Sequence, residues 1–182
     1  KQEQLDLLLS LCDTYDVQVY SMSDNLWKGI ETTVHGQGVI AVVCQKVRRL
    51  EDFRVKENGL YVLIDGVQDP GNLGTLIRTA VGAGVEAMFL TSNTVDIYNE
   101  KTVRSTMSGL CKLPIYTNVT KNEVVRLIEE QGITLYGTVL EESVDYGQPT
   151  YEGSTMIALG NEANGITEDI LQLVTQRISI PM

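Results

Sequence analysis

From Gly59 onward the chain alternates two periodicities, and that alternation limits its fold more than any other feature. Tyr61–Ile64 is a short apolar run that ends on Asp65-Gly66. Asp69-Pro70 then places a capping residue and a proline at the first helical position. Leu73, Leu76, Ile77, Ala80 and Val81 recur on one helical stripe, and Gly82 and Gly84 close it. Ala87–Leu90 reads as the next strand. Further helices and strands are expected at 100–108, 114–117, 121–130, 133–139, 155–159, 167–173 and 177–181. Strands that alternate with helices build an open, mostly parallel α/β sheet. Ligands of such sheets sit outside the carboxyl ends of the strands.

The first 58 residues read differently. Leu5, Leu8, Leu9 and Cys12 predict an amphipathic helix over 2–13, and Ser23 or Asp24 caps a second over 25–30. Val17–Tyr20 and Val39–Val43 are strand candidates, the latter apolar and β-branched enough to be buried. Residues 44–58 are charged and aperiodic, as a linker would be. The expected organisation is therefore a first unit over 1–45, a linker over 46–58 and an α/β domain over 59–182. No apolar run approaches the roughly 18 residues of a membrane span, and the pattern of a signal peptide is not read in these residues. Cys12, Cys44 and Cys111 are odd in number and widely spaced. Neither a disulfide framework nor a metal site follows, and buried reduced thiols of a cytoplasmic protein are expected.

Three segments carry chemistry. The first, DGVQDPGNLGTLIRTA over 65–80, is a strand end, a Gly-rich loop and a helix. Gly71 and Gly74 permit a ligand or another chain segment to approach the backbone. Asn72 offers a donor and an acceptor at the helix start, and Arg78, off the apolar stripe, can grip a phosphate or carboxylate. A plain βα turn with a solvated arginine fits the same residues. The segment is neither GxGxxG nor a Walker loop, so nucleotide-dependent chemistry loses ground. The second, ALGNEANGIT over 158–167, ends a strand on Gly160 and sets Asn161, Glu162 and Asn164 in the following loop, with Thr167 as a helix cap. The third, ISIPM over 178–182, says little alone.

The order and detail of the three segments resemble the SpoU/TrmH family of SPOUT RNA methyltransferases, from about residue 60 to 182. Residues 31–43 resemble the end of the ribosomal-protein-like substrate-binding domain that precedes the catalytic domain in many members. The resemblance implies S-adenosylmethionine-dependent 2′-O-methylation of a ribose, with 23S rRNA as the expected substrate. A tRNA enzyme and a catalytically inactive RNA-binding member are the alternatives. It implies a homodimer and a SPOUT α/β fold with a C-terminal trefoil knot. The knot helix would lie beyond Pro181-Met182, and both ends are expected to be cut from something longer. The implied cofactor residues are Thr138, Leu140, Leu159, Gly160, Ile180 and Met182, with Val139 in the first of these loops. Gly160 is expected to be glycine because a side chain there would crowd the ligand. Arg78, Asn72 and Glu162 match the catalytic motif positions. Arg78 orients the ribose hydroxyl and its phosphate across the dimer interface; an arginine is too weak an acid to serve readily as a base.

The net charge of −10 argues at first against RNA. Residues 101–121, however, carry Lys101, Arg104, Lys112 and Lys121 with no acid. Arg78, the 101–121 island and the Lys46–Lys56 basic residues form the expected RNA track, with Lys101, Arg104 and Lys112 as contacts. His35 is expected in a polar turn without a catalytic role, and Trp27 in packing. Tyr146 and Tyr151 flank an ordinary surface loop.

Overall fold

The computed structural model describes residues 2–31, 36 and 38–181. His35 and Met182, and with them the readings attached to both, lie outside the described residues. The chain divides into two units, Lys1–Gln45 and Lys46–Met182.

In the first unit, α1 (Gln2–Thr14) and α2 (Asp24–Ile30) are the described helices. The helical spacing of Leu5, Leu8, Leu9 and Cys12 is realised, but α1 buries no residue. Ser23 is the N-cap of α2 without a side-chain hydrogen bond. Neither strand candidate forms. Val17–Tyr20 and Val39–Val43 are irregular and exposed, Val42 fully so at 100%. A strand needs a neighbour to take its backbone hydrogen bonds, and no described segment of this unit pairs with either run. The thiols also differ from expectation. Cys44 and Cys111 are exposed and Cys12 half-buried, all unbridged.

The second unit follows the alternation. β1 (Leu60–Asp65) leads into α3 (Pro70–Gly82) and β2 (Ala87–Thr91). Next come α4 (Glu100–Ser105), β3 (Ile115–Val119), α5 (Lys121–Glu129), β4 (Thr134–Thr138), β5 (Val144–Asp145), β6 (Thr155–Gly160), α6 (Glu168–Leu171) and β7 (Gln176–Ser179). The strands form one sheet in the order β3-β2-β1-β6-β4-β7-β5, and every pairing is parallel. Its strands read as near-continuous apolar runs because both faces are covered. On one face Val62, Ile64, Met88 and Leu90 pack with Leu73, Ile77 and Ala80 of α3. On the other, Tyr61, Leu63, Phe89 and Met156 pack with Val124 and Leu127 of α5 and Ile170 of α6. Three layers result, with two cores.

Local chemistry ends each element as expected. The Asp69 side chain accepts from Asn72 N, with Pro70 at the first turn of α3. Thr120 and Glu123 close a reciprocal capping box on α5. Thr167 is the N-cap of α6, yet its side chain makes no capping bond. Gly74 is required by the chain itself, since a Cβ there would stand 2.3 Å from Ser105 Cβ and 2.9 Å from Thr102 O. α4 thereby lies directly on α3.

Residues 46–58 hold more structure than a linker. Phe53 is 7% exposed and belongs to the core. Its ring meets Tyr61, Phe89 and Tyr116 edge-on at 5.5, 5.1 and 5.7 Å, and Phe89 stacks on Tyr116 at 5.3 Å. The Tyr61 hydroxyl accepts from Lys56 N at 2.8 Å, which ties the segment down beside Phe53. Phe53→Ala is expected to cost about 3–5 kcal/mol in urea unfolding. A loss below about 1 kcal/mol would return Phe53 to a passive connection.

Candidate functional site

β1 and β6 are sheet neighbours whose following helices cover opposite faces, α3 one and α6 the other. Chain leaving the two carboxyl ends therefore diverges, and divergence at a topological switch opens a crevice. A cleft of about 390 Å³ occupies that position. Its β1 wall is Val67, Asn72, Thr75 and Leu76, its β6 wall Leu159 to Glu162 with Gly165, and Thr138 at the end of β4 closes it.

A buried carboxyl holds the two walls together. Asp65, 1% exposed at the end of β1, accepts from Thr167 N at 2.7 Å and from Thr91 Oγ1 at 3.0 Å. A buried acid is tolerated only with such donors. Asn161 adds a second tie, donating from Nδ2 to Gly66 O at 2.8 Å. Its Oδ1 accepts from Ala163 N and Asn164 N at 2.9 and 3.0 Å, shaping the turn that the Asn161–Gly165 backbone pair closes. Gly160 is required by this turn, because a Cβ there would lie 2.1 Å from Gly165 C and 2.3 Å from Ile166 N. The expected ligand crowding is thus replaced by a closer constraint, the loop folding back on its own strand.

Asn72 and Glu162 meet across the cleft. Asn72 Nδ2 donates to Glu162 Oε1 at 2.9 Å, while Asn72 N donates to Asp69 Oδ1 at 2.8 Å. The Asn72 amide holds the Glu162 carboxyl below the usual glutamate range, aided by backbone N–H groups that include Gln68 N. Asp69 is likewise lowered, first by Asn72 N and then by Lys101, whose Nζ lies 3.1 Å from Asp69 Oδ2.

The other predicted residues are distributed more widely. Thr138, Leu159 and Gly160 line the cleft with Asn72 and Glu162, and Thr138 Oγ1 donates to Ala158 O at 2.9 Å. Leu140 and Ile180, 82% and 65% exposed, stand outside it, past the carboxyl ends of β4 and β7. Arg78 is exposed and is not among the lining residues. At 100° per residue it projects about 60° or more from Thr75, Leu76 and Asn72, and it has no hydrogen-bond or ion-pair partner among the described residues. Lys101 and Arg104 are paired, with Asp69 and Glu100. Lys112 lies at the amino end of β3, away from the cleft. Tyr151 packs its ring 4.7 Å from Tyr136 and donates its hydroxyl to Tyr146 O, while Tyr146 is exposed. Sequence reading missed Asp65, Thr75 and Leu76 as site residues. An acid closing an apolar strand just before a glycine was the signal for the first, and helical spacing from Asn72 for the others.

Comparison with known proteins agrees with this geometry. The profile of the SpoU rRNA Methylase family matches residues 59–182. The chain is 31% identical over 166 residues to the 23S rRNA (guanosine(2553)-2′-O)-methyltransferase RlmP of Bacillus subtilis, covering 91% of this chain and 64% of that protein. An AdoMet-bound rRNA methyltransferase from Sinorhizobium meliloti superposes with a TM-score of 0.71 at 34% identity, over 76% of this chain and 53% of that one. The SpoU methyltransferase AviRb of Streptomyces viridochromogenes, in complex with AdoMet, superposes with a TM-score of 0.71 at 30% identity, over 75% and 56%. The chain thus spans between about half and two thirds of the length of these relatives. With three motifs, a parallel sheet and a switch-point cleft that all coincide with the profile's span, the chain belongs to the SpoU rRNA methylase family.

Proposed function

We propose that this chain is the core of an enzyme that transfers a methyl group from S-adenosylmethionine to a ribose 2′-oxygen of RNA, with 23S rRNA as substrate. The observation that carries the reading is the switch-point cleft, in which Asn72 of the first motif and Glu162 of the second meet at 2.9 Å. Its relatives support it, being named 23S rRNA 2′-O-methyltransferases in Bacillus subtilis and Streptomyces viridochromogenes. In this reading residues 59–182 are the methyltransferase domain, residues 46–58 connect it, and residues 1–45 belong to an RNA substrate-binding domain. The enzyme works as a cytoplasmic homodimer with the knotted C-terminus of its family. No helix among the described residues is long and apolar enough to cross a membrane.

The cleft suits the cofactor. Val67, Leu76 and Leu159 give it apolar walls, and Glu162 supplies a carboxylate. A carboxylate held ionised complements a sulfonium cation. Thr138, Leu159 and Gly160 would hold the cofactor, and the exposed Leu140 and Ile180 would cover its adenine. When bound, S-adenosylmethionine supplies the electrophilic methyl group, and the chain supplies alignment and electrostatics.

The protein groups divide the remaining work. Glu162, lowered by Asn72, is a poor proton acceptor at neutral pH, because an efficient base has a pKa near the working pH. Its role is to fix the Asn72 amide at the start of α3. Arg78 supplies a planar guanidinium that matches phosphate geometry. It grips the phosphate beside the target ribose and stabilises charge developing on the 2′-oxygen. Because it does not line the cleft of its own chain, it serves the cleft of the partner subunit.

The test is transfer of labelled methyl to unmodified 23S rRNA by the full-length protein, with tRNA as the parallel substrate. Incorporation at a ribose of 23S rRNA is expected; labelling of tRNA alone, or of neither RNA by folded protein, would overturn the reading. Arg78→Ala is expected to reduce turnover by about 10²–10³-fold, the usual effect of losing a transition-state donor, with cofactor affinity unchanged. Turnover within about threefold of the wild type would remove Arg78 from the chemistry.

A pH experiment isolates the Asn72–Glu162 contact. The contact is at full strength above the ordinary glutamate value of about 4.3. It is lost only as pH falls through the lowered value in the folded protein. In Asn72→Ala the carboxyl of Glu162 is expected to titrate higher than in the wild type, read by carbon NMR of labelled glutamate. Coincident titrations would remove Asn72 as the cause.

A further inference from the structure

The sheet has a second cleft at its opposite end. It measures about 370 Å³ and lies at the amino ends of β1, β2 and β3, lined by Arg54, Lys56, Tyr61, Glu86, Lys112 and Tyr116 among others. Strands rise about 3.3 Å per residue, so the six residues of β1 set it about 20 Å from the switch-point cleft. It shares no lining residue with that cleft.

Its lining carries Arg54, Lys56 and Lys112 against one carboxylate, Glu86. Six described cations elsewhere are neutralised by carboxylates: Arg49 by Glu51, Lys101 by Asp69, Arg104 by Glu100, Lys121 by Asp169, Arg126 by Glu130 and Arg177 by Glu142. Here Lys56 is paired with Glu86, but Arg54 and Lys112 have no carboxylate partner among the described residues. Arg54 is nevertheless held in place. Its Nη1 donates to Glu51 O and Phe53 O, both at 2.6 Å, which anchors the guanidinium without cancelling its charge. The aromatic cluster of Phe53, Tyr61 and Tyr116 stiffens the floor. Burial raises the Tyr116 hydroxyl above its ordinary range; Arg48 acts against that shift and Asp52 with it, so a further cation and a carboxylate are both near.

We propose that this amino-end cleft seats a backbone phosphate of the RNA on Arg54 and Lys112, several nucleotides from the ribose being methylated. The inference rests on the RNA-methyltransferase reading for the identity of the polyanion. It divides the expected RNA track in two. Lys101 and Arg104, already paired, contribute little net attraction, whereas the anchored Arg54 and the unpaired Lys112 supply a fixed positive site on an otherwise acidic surface. A phosphate there would set how the RNA crosses the sheet edge and hence which ribose reaches the catalytic cleft.

The experiment measures binding of a fluorescently labelled 23S rRNA transcript by the full-length protein across a salt series. Lys112→Glu is expected to weaken binding about tenfold at low salt and to lower the slope of log affinity against log salt by about one. The neutral pair Arg54→Gln with Lys112→Gln is expected to lower that slope by about two, with thermal unfolding recording whether the fold persists. Lys121→Glu, the same charge change at a paired cation, should leave the slope unchanged. Wild-type salt slopes in both cleft variants, with the fold intact, would overturn the proposal. Failure of the wild type to methylate RNA while the slopes still change would instead overturn the methyltransferase reading and leave the phosphate site standing.

Discussion

The geometry at the carboxyl end of the sheet depends on one buried carboxyl group. Asp65 ends β1, and its two oxygens reach Thr91 at the end of β2 and Thr167 at the start of α6. Three chain segments more than twenty residues apart in sequence are thereby fixed at the point where the sheet changes direction. A carboxyl group 1% exposed must keep its donors or pay a large desolvation penalty. That penalty makes the arrangement stiff. Asn161, bonded to Gly66 O, repeats the tie one residue further along both strands. The Asn72–Glu162 contact spans the mouth of a cleft whose walls these bonds have already set.

The glycines show the same economy of space. Gly74 admits α4 against α3, and Gly160 admits the returning 165–166 backbone against β6. At both positions the space a Cβ would need is taken by the chain itself. Gly160 nonetheless lines the cleft, and the ligand space opens between Leu76 and Leu159.

The sheet and its helices were legible from residue 59 because each element carries redundant signals. α3 has Asp69, Pro70, an apolar stripe and a closing Gly84 in left-handed geometry, so four local preferences agree. The N-terminal strand candidates had only one signal, apolar β-branched composition, and composition cannot supply a pairing partner. Val39–Val43 and Val17–Tyr20 failed for that reason. Phe53 was hidden for the opposite reason: a lone aromatic among charged residues has no period, although its edge-on contacts with three rings place it at the centre of a core. Of the residues that line the cleft, Asn72, Leu159, Gly160 and Glu162 lie in the first two motifs, and Thr138 followed from the family resemblance alone. The pairing of Lys101 and Arg104 was not legible, because a run of bases without acids looks free until the fold brings Asp69 beside Lys101.

The distribution of charge limits how the proposed reaction can be assembled. The residues lining the switch-point cleft include one carboxylate and no Lys or Arg. Such a lining suits a sulfonium cation and repels a phosphate. An RNA strand approaching the same mouth needs cations, and the cleft's own chain does not place them in the lining. Arg78 of the first motif has no hydrogen-bond or ion-pair partner among the described residues, and it stands exposed outside that lining. In the proposed reading, the arginine and the cofactor cleft that cooperate belong to different copies of the chain. A homodimer so arranged would bring a cation to the outer side of an acidic cleft without placing it beside the cofactor's own positive charge.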